Sequence, residues 1–134
     1  MSEPTTFDAL RAKGVSAEET VATTDDTAGA ITLTAAQILG GLILRDPQGN
    51  RSDLVPTVAS LYDAIGKPND VTGLSFEFTI RNTANAAETI TVTTNTGWTL
   101  SGTMTIAQNN TKRFKVVFTS PTAAVLYSLG TVVH

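Results

Sequence analysis

Residues 74–80 read Leu-Ser-Phe-Glu-Phe-Thr-Ile, with apolar and polar side chains alternating without a slip. Leu74, Phe76, Phe78 and Ile80 fall on one side, and Ser75, Glu77, Thr79 and then Arg81 on the other, the period of two expected of a strand with one covered face. After the polar turn Asn82 to Ala87 the period resumes at Thr89 to Thr93, with Ile90 and Val92 inward, and the two strands are expected to form a hairpin. Asn95-Thr96-Gly97 breaks the chain, Trp98 and Leu100 open a third strand, and Met104 with Ile106 belong to a fourth beyond Ser101-Gly102. A fifth strand, from about Thr111 to Thr119, points Phe114, Val116 and Phe118 inward, and a sixth carries Val125, Tyr127 and Leu129 inward. This regular spacing predicts a mainly β domain, a single antiparallel β-sandwich or small barrel.

Upstream of Gly73 the period changes. Thr34 is a candidate N-cap for a one-turn helix through Ala35 to Leu39, stopped at Gly40-Gly41. Val58, Leu61, Tyr62 and Ile65 stand at i, i+3, i+4 and i+7, with Pro56 suited to a first turn and Gly66 and Pro68 to the end, so a second short helix with one buried face is expected. Between them LILRDPQGNRSD, residues 42–53, reads as a short apolar strand entering a turn crowded by Arg45, Asp46, Arg51 and Asp53.

The 134 residues suit one domain, residues 31–134, preceded by an extended N-terminal arm, residues 1–30. The arm holds six acidic and two basic side chains and few apolar ones, and is expected to be irregular. Two readings of it stand: a loose chain end, or a segment ordered only against another chain, with Phe7 and Leu10 as its anchors. Hydrophobic residues make up 41% of the chain and charged ones only 16%, so its polarity comes from amides and hydroxyls, including 24 threonines that favour pleated surfaces.

Nine basic against twelve acidic residues and a pI near 4.9 leave no basic field for nucleic acid. No apolar run approaches the roughly 18 residues of a membrane span, and MSEPTT lacks the basic start of a secretory signal, so a chain neither membrane-bound nor exported is expected. The absence of cysteine suits a reducing compartment.

Chemistry is sparse. The single histidine, His134, ends the chain, so no Ser-His-Asp or Cys-His arrangement is available within it, and neither catalytic residues nor a cofactor are expected. Glycosidase-like pairs among Asp46, Asp53, Asp63, Asp70, Glu77 and Glu88 are not singled out by any spacing. Asp46, Asn50 and Asp53 offer oxygen atoms to calcium but lack the EF-hand order, so no metal site is expected. Arg81 and Glu88 are placed to pair across the hairpin mouth. Trp98 reads as a core or interface residue before a sugar-stacking platform. Arg113 and Lys115 share the outward face of the fifth strand in the only basic cluster, and read as a solvated face or a contact for an acidic partner.

Four blocks, ILGGLILRDPQGNRSDLVPTVASL, FEFTIRNTANAAETITV, TMTIAQNNTKRFKVVFT and YSLGTVVH, together resemble a family of small proteins encoded by tailed bacteriophages, over roughly residues 31–134. Members of this family are similar to capsid decoration or cement proteins. The resemblance implies a non-enzymatic virion protein, assembled in the host cytoplasm, that binds the outside of the major capsid protein shell and itself as a homotrimer. It implies a turn at Arg45 to Asp53, a hairpin around Asn82 to Ala87, and a turn and strand at Ala107 to Phe114. An adhesive or carbohydrate-binding virion module is the alternative.

Overall fold

Caps and turns set the first divisions of the chain. Thr34 Oγ1 accepts the Gln37 backbone N–H, and Gln37 Oε1 accepts the Thr34 N–H, a capping box that starts α1 (Ala35–Gly40). Gly41, at φ 90°, ends it in a left-handed conformation that other residues adopt only with strain. Thr57 caps α2 (Val58–Ala64), so Pro56 precedes the cap instead of lying in the first turn.

A computed structural model describes residues 20–134, in which these helices lie among nine strands. The strands are β1 (Val21–Asp25), β2 (Gly41–Arg45), β3 (Arg51–Leu54), β4 (Ser75–Asn82), β5 (Ile90–Thr93), β6 (Trp98–Ser101), β7 (Thr105–Ile106), β8 (Asn110–Ser120) and β9 (Ala123–Val133). They form a six-stranded sheet in the order β1-β2-β4-β8-β9-β6 and a three-stranded sheet in the order β3-β5-β7, a mainly β, sandwich-like fold. Both sheets are mixed rather than antiparallel throughout: β1–β2, β2–β4, β6–β9 and β3–β5 run parallel.

Between the layers lies one core that includes Ile43, Phe78, Ile80, Ile90, Val92, Phe114, Val116, Phe118 and Leu126, joined by Ile38 of α1 and by Val58 and Leu61 of α2. Phe78 and Phe114, neighbours in the β4–β8 register, stack with centroids 5.2 Å apart.

Four further expectations change. The strands on either side of Asn82 to Ala87 form no hairpin: β4 lies between β2 and β8 in the large sheet, and β5 between β3 and β7 in the small one. Buried Asn82 explains the transfer. Its Nδ2 donates to the carbonyls of Glu88 and Ile106, and its Oδ1 accepts the Ala84 N–H, which turns the chain across the sandwich.

On β9 the phase is the reverse of the expected one. Ala124 and Leu126 are buried, whereas Tyr127 and Leu129 are exposed and Val125 is half-buried. Ala124 faces Phe118 on one side and Trp98 on the other, and a small side chain is what space between two large aromatic rings admits. Leu74 is likewise exposed, because the chain has not yet entered β4.

Residues 21–25, counted from the sequence in the irregular arm, are strand β1, in parallel register with Gly41–Arg45 of β2. The anchors Phe7 and Leu10, and residues 1–19 as a whole, lie outside the described residues.

Candidate functional site: the open face of the large sheet

Among the described residues, the three-stranded sheet and the helices cover one face of the six-stranded sheet and no element covers the other. Register places Leu42 and Leu44 of β2, Glu77, Thr79 and Arg81 of β4, and Thr111, Arg113 and Lys115 of β8 on that open face. On β9, Tyr127 stands opposite Lys115 and Val132 opposite Thr111. Leu129 is the extra residue at a register shift, where Arg113 pairs with Gly130 but Phe114 with Ser128.

Exposed apolar side chains gather at the β9 end of this face: Tyr127 is 39% exposed, Leu129 43% and Val132 67%. The nearby hollow lined by Thr79, Thr111, Arg113, Gly130, Thr131 and Val132 has a volume of about 330 Å³. β6 pairs with β9 only from Ala124 to Tyr127, so beyond Tyr127 the far edge of β9 has no strand beside it among the described residues.

The basic residues singled out from the sequence are on this face. Arg113 Nε lies 3.4 Å from Glu77 Oε1, both side chains well exposed, and Lys115 stands opposite Glu77 in the register. The structure brings Arg113 and Lys115 together.

Other candidates have partners of their own. Trp98 is buried, and its indole N–H donates to the Pro56 carbonyl at 2.6 Å, so its ring offers no stacking face. Arg81 does not pair with Glu88. Its Nε donates to His134 Nε2 at 3.2 Å, and Glu88 accepts the Gly49 backbone N–H. The His134 ring, whose Nδ1 is 3.1 Å from Thr111 Oγ1, therefore belongs to a clasp between the end of the chain and β4 and β8.

Of the residues considered for calcium, Asp46 accepts the Gln48 N–H, Asn50 accepts the Thr89 N–H, and Asp53 pairs with Arg45. Asp63 pairs with Lys67 at 3.1 Å, and Asp70 accepts the Thr72 N–H. Among the described residues no three His, Asp or Glu side chains converge as metal ligands.

The ionic centre of the molecule is a pair that sequence reasoning placed in an exposed turn. Arg45 is fully buried: its Nε bonds Asp53 Oδ2 at 2.9 Å, and its terminal nitrogens donate to the carbonyls of Thr27, Gly29 and Asp46. The signal was present in the strand period, since Arg45 lies two residues beyond inward-facing Ile43. Asp25 sits at the rim of this network, and hydrogen bonds from Thr27, then Gln37, with the Arg45 charge, hold its carboxyl below the usual value against the opposing effect of partial burial. Burial alone lowers the Lys112 ammonium, whose Nζ donates to the Thr103 carbonyl at 2.8 Å.

No family model, curated protein or solved structure matches this chain.

Proposed function

We propose that the chain is a structural virion protein of a tailed phage, which decorates the capsid and stabilises it by binding the outside of the major capsid protein shell as a homotrimer. The open face of the large sheet carries this reading. Its exposed Tyr127, Leu129 and Val132 lie beside Arg113 and Lys115, combining apolar contact area with charge that steers and orients a partner. The sequence blocks that resemble decoration proteins supply the class of partner.

The alternative, a carbohydrate-binding module, loses the aromatic platform it was based on, because Trp98 is in the core. A cryo-EM reconstruction of the virion tests the proposal: density for this fold at three-fold or quasi-three-fold positions outside the shell supports it, and density confined to the tail tip contradicts it.

A further inference from the structure

The outer edge of β9 is stepped. β6 pairs with its first part, from Ala124 to Tyr127, whereas residues 128–133 have β8 on one side and, among the described residues, no strand on the other. The His134 N–H donates to the Asn109 carbonyl, so alternation turns Val132 and Gly130 toward β8 and aims the N–H and C=O of Thr131 and Val133 away from the sheet. Soluble proteins commonly blunt such an edge with lysine or proline. Here residues 128–133, Ser-Leu-Gly-Thr-Val-Val, hold neither, and no charged residue occurs anywhere from Val116 to Val133. Leu129, Val132 and Val133 are exposed along the edge, Val133 by 75%.

We propose that this edge pairs with the same edge of a second copy, antiparallel about a two-fold axis through Thr131, so that the two large sheets become one. The step is self-complementary: turned through 180°, the second copy lays its own residues 128–133 in the notch, and its β6 stays clear because it reaches only to Tyr127. Thr131 then faces its own counterpart, each offering N–H and C=O to the other, and Val133 stands opposite Leu129. Val132 stands opposite Gly130, whose missing side chain leaves open the hollow at Thr79, Arg113 and Gly130, and a valine of the second copy covers it. The uncharged edge suits a copy of itself, because the two-fold sets no like charges against each other. An axis perpendicular to the sheet keeps both open faces on the same side, so pairing joins the two candidate contact faces into one surface. This contact is separate from the three-fold association proposed above, and its failure leaves that reading standing.

Two measurements on the full chain, free of any capsid, test this. Six residues of edge make a small contact, so sedimentation equilibrium from about 10 µM to 1 mM should show the mass doubling over the range, whatever the smaller species is. T131P removes an N–H that points away from β8 and leaves those of Gly130 and Val132 in place, so it should abolish the doubling while the melting temperature of the dilute chain is unchanged. The chain has no cysteine, which makes single-cysteine variants clean probes. Under mild oxidation T131C should join two copies, its Cα atoms being within the roughly 7 Å limit of a disulfide, whereas V132C, diagonal to its counterpart, and A59C, exposed on α2, should not. A constant mass, a doubling that survives T131P, growth past twofold, or cross-linking of V132C or A59C as fast as T131C would each overturn the assignment.

Discussion

Arg45 and Asp53 form an ion pair with side-chain exposures of 0% and 1%, and it ties the large sheet to the small one. Arg45 ends β2, Asp53 lies in β3, and the guanidinium also gathers the carbonyls of Thr27 and Gly29 from the segment after β1. Asp53 Oδ1 in turn accepts the Ile31 N–H. A buried pair of this kind adds little over a well-packed apolar substitute, yet breaking it from one side is costly because the other charge stays buried.

D53A should therefore destabilise the domain by about 3 to 5 kcal/mol in chemical denaturation. In R45M/D53A the loss should fall short of the sum of the single losses, by a coupling of about 0.5 to 3 kcal/mol, since the second change removes the stranded charge. Additive losses would show that the two side chains act separately.

Stability should also fall in acid through Asp25. Its carboxyl is held below the ordinary value of 3.8, so the unfolded chain binds the proton first as pH drops. The contribution is complete above that value and disappears as pH falls through the folded value. In D25N the decline of melting temperature below about pH 4 should be shallower than in the unaltered chain.

The strand phases can be checked in pairs. Phe78 is 1% exposed, and F78A should cost about 3 to 5 kcal/mol. Tyr127 points outward, and Y127A should change stability by no more than about 0.5 kcal/mol. A large loss in Y127A would restore the opposite phase for β9.

Gly97 has φ +96°, and a Cβ there would meet the Thr122 carbonyl and the Val58 side chain. G97A should lower the melting temperature through both strain and collision, whereas G66A, whose Cβ meets nothing within 4 Å, should lower it less.

Much of this fold is legible in the sequence because local rules and burial agree. The Thr34 cap, the Val58-Leu61 face of α2, and the inward phases of Phe78, Ile90 and Phe114 follow from period and capping. What escaped depends on contacts distant in sequence. Asn82 sends the chain to the other sheet through bonds to Glu88 and Ile106, which an alternation pattern does not contain. β9 takes its phase from Phe118 and Trp98 rather than from its own bulkier residues. Arg45 appears solvated beside Asp46 and Pro47 until β3 brings Asp53 to it. Of the candidate site, Arg113 and Lys115 were readable as outward residues of one strand, while the exposed apolar row on β9 was not, because its phase was reversed.

The proposed attachment to the outside of a capsid is tested by titration. Purified protein is added to phage heads that lack it, and bound chains per head are counted after sedimentation. Binding should saturate at a fixed ratio per major capsid subunit, raise the temperature at which the heads rupture, and weaken when Tyr127, Val132 and Lys115 are replaced together by Glu. Heads that bind no protein at micromolar concentration, or that bind it without saturation, would rule out capsid decoration.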